Sequence, residues 1–165
     1  PMPMNEIEIV NKDDDGIGEI RVKGPNIMLG YYEIPELTEQ VMKDGWFCTG
    51  DLARETEDGR IFIVGRLKNL IVLSNGENVS PEEIEGILQK SEYVDEVVVF
   101  EQDDRIAAEI FPGREVGTTV NNKIEDEVKR LLAGLPTYKQ VANIILRKEP
   151  FPRNAMGKIV RRQED

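Results

Sequence analysis

The chain has 165 residues, of which 39% are hydrophobic and 32% are charged, so it contains enough apolar material for a folded core. Its formal net charge of −11 argues against a general nucleic-acid binder, because phosphate contacts dominate that affinity. Cys48 is the only cysteine, which excludes an intrachain disulfide and indicates a reducing cytoplasm. There is no histidine, which excludes a histidine base and, with a single cysteine, a Cys/His zinc cluster.

The first 65 residues predict an all-β region with one short helix. The predicted elements are two strands, a helix and a hairpin, at residues 6–10, 18–24, 35–42 and 52–64. Asp58-Gly59 is the turn signal of the hairpin. We expect the aromatic residues Trp46, Tyr31 and Tyr32 to belong to the core. The opening Pro-Met-Pro-Met has no initiator context, so we expect a piece of a longer protein.

A short polar segment at 65–69 interrupts this pattern and predicts a domain boundary. Residues 1–65 contain 14 acids and 6 bases, whereas residues 66–165 contain 18 acids and 15 bases. The change in charge balance supports two domains, at 1–65 and 66–165.

The second region predicts a small α+β fold. Strands are predicted at 70–73, 97–100, 106–111 and 141–146, and helices follow Ser80 and span 122–132. Ser80 is the predicted N-cap, with Pro81 in the first position and Glu83 closing a capping box. The order of elements predicts a small three-stranded sheet with two helices packed on it.

Several residues are candidates for chemistry, each with a plain structural alternative. Asp51 after Thr49-Gly50 can bind a vicinal diol or cap its own turn, and Arg66 can pair with an acid or bind a ligand. Gly76 lies in a loop before a helix N-terminus, which suits an anion but is also an ordinary loop. Lys158 follows Gly157 in a segment, 139–162, that holds seven bases and one acid, so it is either a phosphate-binding cation or part of a solvated tail.

The order of these motifs closely resembles the C-terminal third of the adenylate-forming enzymes. That family includes AMP-forming acyl-CoA synthetases, the adenylation domains of peptide synthetases, and firefly luciferase. The resemblance covers essentially the whole chain. The segments that match are Gly-Pro-Asn-Ile-Met-Leu-Gly-Tyr-Tyr at 24–32, Trp-Phe-Cys-Thr-Gly-Asp at 46–51, Gly-Arg-Leu-Lys-Asn-Leu-Ile at 65–71, Asn-Gly-Glu-Asn-Val-Ser-Pro-Glu-Glu-Ile-Glu at 75–85, and Pro-Arg-Asn-Ala-Met-Gly-Lys at 152–158.

The resemblance implies an enzyme that makes an acyl-adenylate from a carboxylate and ATP and then passes the acyl group to a thiol. Asp51 would hold the ribose hydroxyls of ATP, assisted by Arg66. Lys68 would be the hinge between the two half-reactions, and Lys158 would reach the α-phosphate and the substrate carboxylate. The loop around Gly76 would line the tunnel for the pantetheine of CoA.

The resemblance also implies that the chain is a fragment. Residues 1–65 would close the small barrel of a large N-terminal domain, and residues 66–165 would be its mobile lid. That missing domain would be the chain's partner. It would contain the acyl pocket and provide most of the contacts to Mg²⁺ and ATP, so the fragment alone should be inactive. We expect the loop around Lys158 to be exposed, mobile and poorly placed. We also expect a cytoplasmic protein, and the sequence leaves open whether it attaches peripherally to a membrane.

Within the family, Lys68 favours a CoA ligase, because peptide-synthetase domains usually carry aspartate at the hinge. The 24–32 pattern resembles the medium- and long-chain fatty-acid–CoA ligases. Two alternatives remain: an adenylation module that loads a carrier protein, and a non-catalytic interaction module. The presence of Asp51, Arg66 and Lys158 argues against the non-catalytic alternative.

Overall fold

The computed structural model describes residues 4–113 and 121–161. The chain forms two compact units, Pro1–Asn69 and Leu70–Asp165. The elements of the first unit are β1 (Glu6–Val10), β2 (Gly18–Lys23), α1 (Pro35–Val41), β3 (Met42–Lys43), β4 (Trp46–Glu55), β5 (Ile61–Arg66) and a 3₁₀ turn at Leu67–Asn69. Those of the second unit are β6 (Ile71–Val72), β7 (Asn78–Val79), α2 (Pro81–Leu88), β8 (Glu96–Gln102), β9 (Arg105–Phe111), α3 (Asn121–Leu132), a 3₁₀ turn at Thr137–Lys139 and β10 (Val141–Leu146).

The first unit is an antiparallel sheet centred on β4, the longest strand. β2, β3 and β5 all pair with β4, and β1 pairs with β2. Trp46 is buried, as predicted, and the guanidinium carbon of Arg21 lies 4.7 Å from the centroid of its ring. The prediction that Tyr31 and Tyr32 belong to the core is wrong, since they are 40% and 87% exposed. Both tyrosines lie between β2 and α1, where no strand pairing turns a side chain inward.

The second unit confirms the predicted α+β fold. Its three-stranded sheet has the order β10-β9-β8, with β8 antiparallel and β10 parallel to β9. The predicted hairpin turn at Asp103 and Asp104 has two positive φ angles, 52° and 58°, as a type I′ turn requires. α2 packs on β8, and α3 packs on α2 and β10. The fully buried side chains between the helices and the sheet include Ile84, Leu88, Ile106, Ile110, Ile124 and Leu132.

Two local predictions for the second unit need adjustment. The predicted strand at 70–73 is present in shorter form as β6, and it pairs with β7 in a separate two-stranded ribbon. Ser80 is the N-cap of α2, but its side chain makes no capping hydrogen bond and contacts Glu82 instead, at 3.2 Å. The carboxylate of Glu83, the other predicted member of the capping box, pairs with the buried Lys139 at 3.1 Å.

Side chains bind backbone groups at the outer edge of β8. Glu85, on α2, accepts a hydrogen bond from the amide of Val99 at 2.7 Å and pairs with Arg161 at 2.5 Å. Arg161 also donates to the Val99 carbonyl, at 3.4 Å. An unpaired strand edge is a template for unwanted pairing, so these contacts protect it. Burial raises the pKa of Glu85, and the hydrogen bonds from Arg161 and Val99 only partly oppose this effect.

The helices within the described residues are short. None of them is long and apolar enough to cross a bilayer.

The core predicts a strong effect for one truncation. Ile84→Ala should lower the free energy of unfolding by about 2–5 kcal/mol, because a fully buried side chain is replaced by a cavity. Ile145→Ala, at a position that is 39% exposed in the same unit, should cost less than about 1 kcal/mol. Urea denaturation followed by circular dichroism measures both, and equal losses would contradict the assigned core.

Glu85 predicts a pH dependence of stability. Because the pKa of Glu85 is raised in the folded chain, its contribution to stability is largest below the pKa of an unfolded glutamate, about 4.3. That contribution falls as the pH rises through the folded pKa. The Glu85→Gln variant lacks this group and keeps an acceptor for the Val99 amide. Between about pH 4 and 7, wild type should therefore lose stability relative to Glu85→Gln. Denaturation curves across that range test the sign, and a relative gain for wild type would contradict it.

Candidate functional site

Asp51 and Arg66 meet at a bulge in β4. Around it, Glu19 pairs with Leu52 and Arg21 pairs with Cys48, so residues 49–51 of β4 stand opposite a single residue of β2. Gly50 takes a φ of +69°, a conformation that glycine adopts without strain. The bulge therefore displaces the Thr-Gly-Asp motif from the regular strand.

The side chains of Thr49, within the bulge, and of Glu19, on β2, hold the bulge in place. The Thr49 hydroxyl donates to the Ile20 carbonyl at 2.8 Å and accepts from the amide of Asp51 at 3.0 Å. The Gly50 amide donates to Oε1 of Glu19, also at 3.0 Å. These contacts fix the backbone that leads into the aspartate without using its carboxylate.

The carboxylate of Asp51 pairs with the guanidinium of Arg66, the residue opposite it on β5. Nη1 of Arg66 lies 2.5 Å from Oδ1 of Asp51 and 3.3 Å from the carbonyl of Thr49. The Asp51 side chain is 33% exposed and the Arg66 side chain 48% exposed. A carboxylate has about four acceptor sites, so this pair leaves Asp51 able to bind a further donor.

Lys68 lies just beyond this pair. It occupies the middle of the 3₁₀ turn Leu67–Asn69 and is exposed. The first unit ends one residue later, at Asn69.

Gly76 lies at the tip of the turn between β6 and β7. Its φ is +86°, and a Cβ added at this position would meet no atom within 4 Å, so backbone conformation and not crowding explains the glycine. The turn is anchored by Ser74, whose amide donates to Oδ1 of Asp104 at 2.7 Å and whose hydroxyl donates to Oδ2. These hydrogen bonds lower the pKa of Asp104 and tie the turn to the β8–β9 hairpin.

Lys158 lies in a tight, exposed hairpin closed by the bridge between Arg153 and Ile159. The side-chain oxygen of Asn154 accepts from the amides of Met156 and Lys158, each at 3.0 Å. The Asn154 amide also donates to the carbonyl of Lys158, at 2.9 Å. The segment is exposed, as predicted, and these bonds give the turn a defined internal shape. Arg162, the last base of the predicted basic segment, lies outside the described residues.

Glu96 anchors the base of this hairpin to the sheet. It is the first residue of β8 and is 7% exposed. Its Oε2 accepts from the Phe151 amide at 2.6 Å, and its Oε1 accepts from Arg153. Burial alone raises the pKa of Glu96, but the hydrogen bonds from Phe151 and Arg153 and the charges of Arg153 and Arg147 outweigh it, so the pKa is lowered.

The structure thus brings Asp51 and Arg66 together, and it places Gly76 and Lys158 on separate turns of the second unit. Sequence reasoning missed Glu96, Arg153 and Asn154 as supports of the Lys158 hairpin. The Asn-x-x-Gly spacing could have signalled the turn, since asparagine side chains often bond backbone amides two residues on. Nothing local could have signalled Glu96, which is 57 residues from Arg153.

The acidic side chains of the described part of the chain are not clustered for metal binding. This part contains no group of three or more His, Cys, Asp or Glu side chains that could hold a metal ion.

The chain is similar to several known proteins. The chain is 36% identical over 171 residues to the long-chain-fatty-acid–CoA ligase of Salmonella typhimurium, an alignment that covers 99% of this chain and 30% of that protein. It is similar to the structure of O-succinylbenzoate coenzyme A synthetase (MenE) from Bacillus subtilis in complex with ATP and magnesium ion, with 30% identity and a TM-score of 0.77 over 96% of this chain and 33% of the other.

A third similarity is to the A-PCP didomain of carboxylic acid reductase from Segniliparus rugosus in complex with AMP. The identity is 26% and the TM-score 0.82, over 97% of this chain and 26% of the other. The chain therefore spans a third or less of the length of each of these three relatives.

The family itself is identified by the second unit. Residues 68–164, more than half of the chain, match the family model of the AMP-binding enzyme C-terminal domain. This match confirms the resemblance drawn from the motifs, and the chain belongs to the family of AMP-binding enzyme C-terminal domains.

Proposed function

We propose that this chain is the C-terminal part of an ATP-dependent, AMP-forming acyl-CoA ligase. The longer enzyme converts a carboxylic acid, of the fatty-acid class, to an acyl-adenylate and transfers the acyl group to CoA. The main support is the 36% identity to a long-chain-fatty-acid–CoA ligase across 99% of this chain, because it extends through both units. The single cysteine, Cys48, is free and further supports a cytoplasmic location.

In this proposal, residues 1–65 complete a large N-terminal domain and residues 66–165 are a mobile lid. The N-terminal domain is the partner on which the lid acts. Lys68 is the hinge, because it lies in an exposed 3₁₀ turn, one residue before the first unit ends. Hinges are a few loop or terminal residues that absorb changes in backbone angle, and a short turn of this kind is suited to that role.

Asp51 binds the ribose hydroxyls of ATP, and Arg66 orients its carboxylate. The bulge and the pairing with Arg66 fix the carboxylate while leaving it one-third exposed. A fixed, ionised acceptor suits two vicinal hydroxyls, since each hydroxyl donates one hydrogen bond. The exposed guanidinium of Arg66 adds donors beside the same ligand.

Lys158 stabilises the charge that builds on the α-phosphate of ATP during adenylation. Its backbone amide is held by Asn154 in an exposed turn, which supports this role, because a fixed backbone limits the region that the ammonium can reach. Gly76 lines the path of the CoA pantetheine, since it adds no side chain to an open turn. In this proposal the Mg²⁺ that accompanies ATP is bound mainly by the N-terminal domain.

A second candidate function is an adenylation module that loads a carrier protein. The similarity to the A-PCP didomain of a carboxylic acid reductase favours it, at a TM-score of 0.82. The two candidates differ only in the acceptor thiol. Incubating the full-length enzyme, a fatty acid, ATP and Mg²⁺ with either CoA or a phosphopantetheinylated carrier protein distinguishes them, by the acceptor that gains the acyl group.

The assignment of Lys158 predicts a selective loss. Lys158→Ala in the full-length enzyme should lower ATP–pyrophosphate exchange by at least about 100-fold, because removing a preorganised charge stabiliser costs this much. Thioester formation from supplied acyl-adenylate should persist. Lys148→Ala, an exposed lysine of the same basic segment, is the matched control and should leave both half-reactions intact. If adenylation survives in Lys158→Ala, the assigned role is wrong.

The fragment interpretation makes a separate prediction. The 165-residue chain alone should show no ATP–pyrophosphate exchange with any carboxylic acid, because the proposed acyl and magnesium sites belong to the N-terminal domain. Radiolabelled pyrophosphate exchange measures this directly, with the full-length enzyme as the positive control. Exchange by the isolated chain would show that it contains a complete adenylation site.

A further inference from the structure

We propose that Glu96 and Arg153 are positioning residues for Lys158 in the adenylation step, an inference that rests on the proposed function. Together they link the rigid sheet of the second unit to the tip of the hairpin. We call this link the Glu96–Arg153 clamp.

The clamp is a continuous chain of contacts. Glu96 starts β8 and is 7% exposed, and its Oε1 accepts from Nη2 of Arg153. Nη1 of the same guanidinium donates to the carbonyl of Gly157, at 2.7 Å. Gly157 immediately precedes Lys158. One end of the chain is therefore in the sheet, and the other end is the peptide bond that joins Gly157 to Lys158.

The hairpin's own bonds cannot replace this link. The bridge of Arg153 with Ile159 and the Asn154 contacts fix the internal shape of the turn. They do not fix its direction relative to the sheet. The contacts of Glu96 with the Phe151 amide and with Arg153 hold the first strand of the hairpin at two points. The pair of Arg161 with Glu85 holds the chain just beyond the hairpin, so the two glutamates together set that direction.

The clamp needs an arginine. A guanidinium has several donors in a planar fork, so Arg153 reaches the Glu96 carboxylate and the Gly157 carbonyl at the same time through two nitrogens. Lysine has one ammonium on a flexible stem and cannot reproduce that planar geometry. Although Arg153 is half exposed, its partner Glu96 is buried, and solvent therefore screens the pair less than a fully exposed one.

Loosening the clamp should affect the adenylation half-reaction only. Adenylation requires the ammonium of Lys158 close to the α-phosphate, and a displacement of about 1 Å can cost about 100-fold in rate. Thioester formation does not use Lys158 in the proposed mechanism. Loosening the clamp should therefore impair adenylation and spare thioester formation, whereas a general loss of folding would impair both.

Arg153→Met and Arg153→Lys in the full-length enzyme test the clamp. The methionine variant should lower kcat for ATP–pyrophosphate exchange by about 10- to 100-fold, with little change in the KM for ATP. The lysine variant should recover only part of this loss. Glu96→Gln, which keeps an acceptor for the Phe151 amide but removes the charge, should show a smaller loss of the same kind. Thioester formation from supplied acyl-adenylate should stay unchanged in all three.

Glu83→Gln is the control for general destabilisation. It breaks the ion pair with Lys139 in the same unit, at an N–O distance of 3.1 Å, and both residues lie outside the hairpin in sequence. It should lower the melting temperature without changing the ratio of the two half-reaction rates.

Two results would overturn the clamp. One is an equal loss of both half-reactions in the Arg153 variants, and the other is full adenylation in those variants while Lys158→Ala abolishes it. Full adenylation in Lys158→Ala would instead refute the proposed function of the lysine itself, so the two failures are distinguishable.

Discussion

Two buried glutamates, Glu85 and Glu96, bind arginines of the C-terminal segment and so determine where that segment lies. Glu85 is on α2 and pairs with Arg161, and Glu96 starts β8 and pairs with Arg153. Apart from one bridge, described residues 147–161 contain no helix or strand pairing. Their placement therefore depends on side chains of the folded unit. The hairpin that presents Lys158 lies between the two pairs.

The same two glutamates show how differently burial can act on one residue type. Burial dominates at Glu85 and raises its pKa, although Arg161 and the Val99 amide partly compensate. At Glu96 a backbone amide and an arginine outweigh burial, and the pKa is lowered. Glu96 is thus the better-compensated charge. Buried ion pairs often add little net stability, so their value here lies in fixing one position of the C-terminal segment.

In the first unit, strand register positions the proposed ligand-binding residue Asp51. Three residues of β4 face one residue of β2, and this irregularity turns the Thr-Gly-Asp motif toward Arg66 on β5. Gly50 adopts the positive φ angle within the bulge, and Thr49 and Glu19 bind the displaced backbone. In both units, a charged residue proposed to contact ATP lies on irregular backbone that is held by neighbouring strands. Such irregular, well-supported positions are common at functional sites.

The sequence by itself determined the local elements and the family, because strand periodicity, turn chemistry and motif spacing are read within a few residues. Alternation predicted β1 and β2, the turn residues predicted the hairpins, and the ordered motifs identified the adenylate-forming resemblance. Only the tertiary structure decided how distant segments meet. The Glu96–Arg153 pair spans 57 residues, and Glu83 pairs with Lys139, 56 residues away. No local pattern encodes these choices, because each depends on which partner the completed fold brings within hydrogen-bonding distance.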